Sequence, residues 1–191
     1  MKGAHFSGGR SSPIDPAPGD AKRYEGNKMN ELQESIIQAL KMLIEADIDL
    51  IETQPKEESI NHKLAQYLEA VLKKKNLLGR CSVDIEYNKY REGEKKGSNG
   101  HYIRPDIISH KRRSGNEDNL MVIEAKKNYD DRDDRKKVRD LVDSQDYRYS
   151  VGAVISYFPK REHVKIKFYV GGQWKKYLMS KTDFTLTETR R

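Results

Sequence analysis

A single cysteine, Cys81, occurs among the 191 residues, so no disulfide can form within the chain and a disulfide-stapled fold is excluded. That scarcity suits a reducing compartment, and the cytoplasm is the expected location. Long hydrophobic runs are also missing. No uninterrupted apolar stretch approaches the ~20 residues of a membrane-spanning helix, and the N-terminus lacks the apolar stretch of a secretory signal. The five histidines, His5, His62, His101, His110 and His163, have no zinc-ligand spacing to one another or to Cys81. No glycine loop follows a strand to cradle phosphate, since Gly8-Gly9-Arg10 has no strand before it, and no nucleophile-elbow serine is present. Cys81 is expected to pack rather than react, because no Cys–His signature surrounds it.

What is abundant is charge. Lys and Arg number 37 against 30 Asp and Glu, giving a formal net charge of +7, and charged and hydrophobic residues each make up 35% of the chain. The apolar residues are clustered, which argues for a folded domain with a heavily solvated surface. A basic balance of this size suits a polyanionic partner, because each Lys or Arg docked on phosphate releases counterions; it equally suits a soluble basic protein without one.

Residues 1–28 hold Gly3, Gly8, Gly9, Gly19, Gly26, Pro13, Pro16 and Pro18 with almost no apolar side chains. Such a segment cannot offset its ordering entropy, so it reads as a flexible tail, an expression-tag remnant, or sequence upstream of a start at Met29. Residues 29–191 form the expected domain. Leu32, Ile36, Leu40, Leu43 and Ile44 recur at helical spacing and predict a helix that stops before Pro55. A second helix begins near Glu57, with the stripe Ile60, Leu64, Leu68 and Val71, and Lys73 to Lys75 complement the dipole at its end. The period then becomes two. Cys81, Val83, Ile85 and Tyr87 mark a first strand, Tyr102 to Ile108 a second, and Leu120 to Ile123 a third, separated by a polar loop at 92–100 and a turn at 114–119. A third helix is expected over 131–143, a buried strand over 151–158, another over 163–170, and a short edge strand over 174–178 after Gly171-Gly172. A helix between two strands implies a right-handed crossover, which makes the strand at 151–158 parallel to the third. The expected class is α/β with a mixed sheet.

Two carboxylates draw attention. Period-two geometry puts Leu120, Val122, Glu124 and Lys126 on one strand face. Asp106 follows Pro105, whose missing donor favours an edge or bulge on the preceding strand. Carboxylates that converge call for a cation or a proton, and Mg²⁺ takes one or two of them along with water and substrate phosphate. An acid-x-Lys pattern occurs at Asp20-Lys22, Glu94-Lys96, Glu124-Lys126 and Asp134-Lys136, but only the third lies on an expected strand. Spacing alone also fits a salt-bridged strand end.

Arg104-Pro105-Asp106 followed by Glu124-Ala125-Lys126, within helix, three strands, helix and strand, resembles the PD-(D/E)xK phosphodiesterase superfamily over about residues 55–158. The resemblance implies a restriction-endonuclease-like core of that element order, with an extra N-terminal helix and C-terminal strands. It implies a nuclease that hydrolyses nucleic acid, DNA favoured, through metal-activated water. Mg²⁺, with Mn²⁺ as a substitute, would be held by Asp106, Glu124 and the backbone carbonyl of Ala125, and Lys126 would position the water. Members place a further acid on the helix before the first strand. Glu57 is in phase with Ile60 and Leu64 and fits that place, whereas Glu58 is in phase with His62 on a more exposed side; a helix N-terminal acid that only complements the dipole fits Glu57 as well. Gln145 and Tyr149 have the separation of a Gln/Tyr pair that some members carry after the Glu-x-Lys strand, but they lie late. Arg104, Lys89, Arg91, Lys111 and Arg112 are candidate backbone clamps on the loops flanking the site, or simply solvated. The alternatives are a non-catalytic nucleic-acid-binding module that retains the fold, and an interaction protein whose acid pair is structural. A homodimer would suit double-strand cutting, but no residue specifies one.

Overall fold

The computed structural model describes residues 29–53, 56–112 and 118–189. The expected tail at 1–28, the helix stop at Pro55 and residues 114–117 of the expected turn lie outside the described residues.

Helix α1 spans Glu31–Glu52 and α2 spans Glu57–Lys74. Asn30 opens α1 through a capping box: its side chain accepts from the Gln33 N–H at 2.9 Å, and Gln33 accepts from the Asn30 N–H at 3.0 Å. The expected stripe Ile36, Leu40, Leu43 and Ile44 is buried, as is Ile60, Leu64, Leu68 and Val71 on α2. Asp47 breaks the helical dihedrals of α1 with φ −139°, which puts a kink there. Strand β1 is Ser82–Ile85, and the small ribbon β2, Lys89–Tyr90, with β3, Gly93–Glu94, follows. Strands β4, Ile107–His110, and β5, Met121–Lys126, lead to α3, Arg132–Asp143. Strands β6, Val151–Ser156, β7, His163–Val170, β8, Gln173–Ser180, and β9, Leu186–Thr189, complete the chain.

Seven strands form one sheet in the order β1-β4-β5-β6-β7-β8-β9. Among the described residues only β5 and β6 pair in parallel, Glu124 opposite Val154 and Lys126 opposite Ser156. The α3 crossover makes this pairing possible. The molecule is therefore mixed α/β with a mostly antiparallel sheet and, among the described residues, three helices. Alternation sorts the core. Met121, Ile123 and Ala125 of β5 join the cluster built with α1 and α2. Val122 and Val154 pack with Val138 and Leu141 of α3 on the other face.

Three sequence expectations shift. The second strand starts at Ile107 rather than Tyr102, because residues 86–106 leave the sheet and fold into the β2–β3 ribbon and a Lys96–Tyr102 bridge. The polar loop at 92–100 thus contributes β3. The short edge strand at 174–178 is eight residues long and is not an edge, since β9 pairs along it from Lys176 to Met179. Cys81 packs as expected, half-buried, with its Sγ donating to the Asp118 carbonyl at 3.2 Å. No helix among the described residues is long and apolar enough to cross a membrane.

Candidate active site

The C-terminal end of β5 is where chemistry gathers. On one side β5 continues against β6. On the other, the last pair with β4 is Ile107 opposite Ile123, so Glu124 to Lys126 run on without a strand partner there. Asp106, one residue before β4, fills the gap with its side chain: Oδ2 accepts the Ala125 N–H at 2.8 Å. Pro105 before it has no N–H to seek a partner. The Lys126 carbonyl accepts from the Tyr157 N–H at 2.9 Å, toward β6. Backbone groups alternate sides along a strand, so the Ala125 N–H and carbonyl both face the Asp106 side.

Glu124 is wholly buried on the α3 face. Its Oε2 accepts from Lys137 Nζ at 2.6 Å, whereas Oε1 is buried without a hydrogen-bond partner. Burial first, and then the Asp106 charge, push the Glu124 carboxyl up to about 8, against the pull of Lys137 and Lys126. Burial also raises Asp106, opposed by the Ala125 N–H, Lys126 and Lys137. Lys126 lies 3.5 Å from Glu57 Oε1 and 3.4 Å from Asp134 Oδ1. Burial works against its charge, but Asp106, Asp134, Glu57 and Glu124 outweigh it and hold the ammonium above its ordinary pKa. Glu57, at the start of α2, accepts the Lys127 N–H on Oε2 at 2.9 Å.

The four residues singled out in the sequence therefore meet at one strand end, from α2, the approach to β4, and β5. Two further members come from α3. Lys137 pairs with Glu124. Asp134, buried, pairs with Lys126 and also accepts the Asp131 N–H at 3.1 Å in the box that starts the helix. One signal for Asp134 existed: it is in phase with Val138 and Leu141, an acid on the apolar stripe.

The basic candidates are dispersed. Arg104 stays at this end, 3.5 Å from Glu86. Lys89 pairs with Glu94 at 3.5 Å, and the Arg91 guanidinium lies 5.3 Å from the Tyr90 ring centre, on the ribbon that docks Tyr90 against Tyr147 and the Asp146 carbonyl. Lys111, 3.1 Å from Asp118, and Arg112, bonded to Asp84, follow the far end of β4, away from Asp106. Gln145 and Tyr149 precede β6, whose first residue pairs with Met121 at the start of β5, so they too stand at the opposite end. Glu58 and His62 are exposed on α2.

The donor set suits a hard cation: carboxylate oxygens and a backbone carbonyl, with one buried oxygen unpaired. Each acid nonetheless has protein partners of its own. Among the described residues, no three His, Cys, Asp or Glu side chains stand grouped for metal ligation. Compared with protein-family models the chain matches none, and a search of curated proteins likewise returns no match.

Proposed function

We propose that the chain is a metal-dependent nuclease that hydrolyses phosphodiester bonds, with DNA as the favoured substrate and a restriction-endonuclease-like core. The order α2, β1, β4, β5, α3, β6 supports that core. The observation that carries the reading is Glu124: a wholly buried carboxyl group with an unpartnered oxygen, beside Asp106 and Lys126 at the open end of a strand.

Asp106, Glu124 and the Ala125 carbonyl would hold Mg²⁺ or Mn²⁺, with Glu57 assisting from α2. Such an ion supplies a Lewis acid for the phosphoryl oxygen and makes bound water acidic. Lys126, kept charged by its acidic neighbours, orients the attacking water and offsets charge on the phosphate. Glu57 fixes both the Lys126 ammonium and the Lys127 amide, so it holds the strand end in shape. Lys137 neutralises Glu124 from α3.

A second reading, a non-catalytic nucleic-acid-binding module, is favoured by that same Lys137 contact, which already gives Glu124 a cation at 2.6 Å. The test is cutting of labelled single- and double-stranded DNA and RNA with Mg²⁺, Mn²⁺ or EDTA. Metal-dependent cutting should fall at least ~100-fold in Glu124→Gln and in Lys126→Ala, with both variants still folded by thermal melting. No cutting by the unaltered chain, with nucleic-acid binding that both variants retain, moves the conclusion to the binding module.

A further inference from the structure

The loop leaving β5 holds an aromatic ring out of the core. Tyr129 is 65% exposed and lies three residues beyond Lys126. Its ring is nevertheless fixed. It stands edge-on to Phe158, with centroids 5.0 Å apart and planes at 72°. The Arg161 guanidinium is 4.9 Å from the Tyr129 ring centre and 4.3 Å from that of Phe158, and it donates to the Tyr129 hydroxyl. Lys165 Nζ is 5.3 Å from the Tyr129 ring centre.

Phe158 is buried and has φ 47°, the left-handed region that an aromatic residue rarely enters. Its N–H donates to the Lys127 carbonyl at 2.7 Å, and its carbonyl accepts from Lys181 Nζ at 2.8 Å. Strain of this kind persists where surrounding contacts over-determine it. Those contacts tie the ring pair to the strand end that carries Glu124 and Lys126. Asn128, Tyr129, Phe158, Pro159, Lys160 and Arg161 line a recess of about 250 Å³ there. The surroundings are cationic. Buried Asp130 accepts Arg135 at 2.5 Å, Lys165 at 2.8 Å and Lys167 at 2.7 Å, so one negative charge meets three positive ones before Lys160 and Arg161 are added.

A ring held by these contacts yet 65% exposed, with cations around it and next to the proposed phosphodiester site, has the parts of a single-strand binding surface: aromatic surface open to solvent for the base and positive charge for the backbone. We propose that Tyr129, backed by Phe158 and Arg161, is a stacking platform for an unpaired base of a DNA strand whose phosphate reaches the end of β5. The assignment of that phosphate rests on the nuclease reading; the platform itself is tested without cutting.

The experiment measures binding in EDTA, by fluorescence anisotropy, of the full chain to a labelled oligothymidylate, an oligouridylate and a blunt duplex. Tyr129→Ala should weaken oligothymidylate binding about 10-fold, the loss of one base–aromatic stack. Tyr129→Phe, which keeps the ring and loses the hydroxyl, should stay near the unaltered affinity. Duplex binding should not respond to either change. Oligouridylate should follow oligothymidylate, since a ring face does not read the sugar. Unchanged oligothymidylate binding in Tyr129→Ala overturns the platform, as does an equal loss on duplex and single strand or an unaltered chain that binds no single strand. Cutting by the unaltered chain alongside any of those results leaves the nuclease reading intact and removes only the platform. Tyr129-dependent binding without cutting does the reverse.

Discussion

His110 Nε2 sits 3.1 Å from Asp84 Oδ2, an ion-pair distance, with its side chain almost fully buried. Burial, then the nearby Lys95 ammonium, outweigh the attraction of Asp84 and take the imidazole down to about 4 from 6.5, with Arg112 adding to the push. The ring is therefore neutral at pH 7, and its bond to Asp84 is a hydrogen bond rather than an ion pair. The sign follows from proton binding. Between pH 4 and 6.5 the unfolded chain binds the proton and the folded chain does not, so this contribution is complete above 6.5 and is lost as pH falls toward 4. At ~1.4 kcal/mol for each pH unit, it reaches at most about 3.5 kcal/mol. Melting temperatures across that window should fall less steeply in His110→Gln than in the unaltered chain; parallel slopes would reject the assignment. At the same scale, period two alone puts Glu124 and Lys126 on one side of a strand, whereas Asp106, noted beside Pro105, and Glu57, chosen over Glu58 by helical phase, owe their place to the family resemblance. Lys137 could not be chosen from sequence, because the face α3 presents to the sheet is fixed by packing against Val122 and Val154, residues far from it along the chain.

Helix α3 approaches β6 closely at Gly152, where an added methyl carbon would meet Val138 Cγ1 at 2.4 Å and Val142 Cγ2 at 3.0 Å. Both valines are β-branched and stiff, so the helix must move. Gly152→Ala should cost about 1–3 kcal/mol and lower the melting temperature. Since α3 also carries Asp134 and Lys137, the same change should lower any metal-dependent cutting before the protein unfolds, which activity at temperatures below the melt would reveal. Elements with regular apolar spacing were legible: α1, α2, β5 and β6 fall near their expected places. Strand β9 was not, because Leu186-Thr187-Glu188-Thr189 has one apolar residue and no alternation to read. The late start of β4 was hidden for a related reason. Tyr102 and Ile103 look strand-like, but the chain there pairs locally, the Ile103 N–H donating to the Lys95 carbonyl at 2.9 Å.

Across the whole molecule, a net charge of +7 says that a polyanion is welcome but not where it lies. Two basic pairs lie at opposite ends of the sheet. Lys111 and Arg112 lie at the far end of β4, facing Asp118 and Asp84. Lys160 and Arg161 lie by the recess next to the end of β5. If single-stranded DNA is bound at that recess, the double variant Lys160→Gln with Arg161→Gln should flatten the slope of log affinity against log salt by about 1.4, two phosphate contacts at ~0.7 each. Lys111→Gln with Arg112→Gln should leave the slope unchanged. The opposite result would move the nucleic acid to the far end of the sheet.

The amides of Ala125 and Lys127 end on side-chain carboxylates, those of Asp106 and Glu57, instead of on a neighbouring strand. Both acids belong to the proposed ligand set. A cation held by either acid would draw charge from the oxygen that accepts the amide and so perturb backbone N–H groups inside an otherwise ordinary strand end. The exchange of those two protons with deuterated solvent, and their chemical shifts, thus follow the state of the acids while the rest of β5 reports only on global unfolding. The strand carries its own spectroscopic reporter, readable without a substrate, a product or a label.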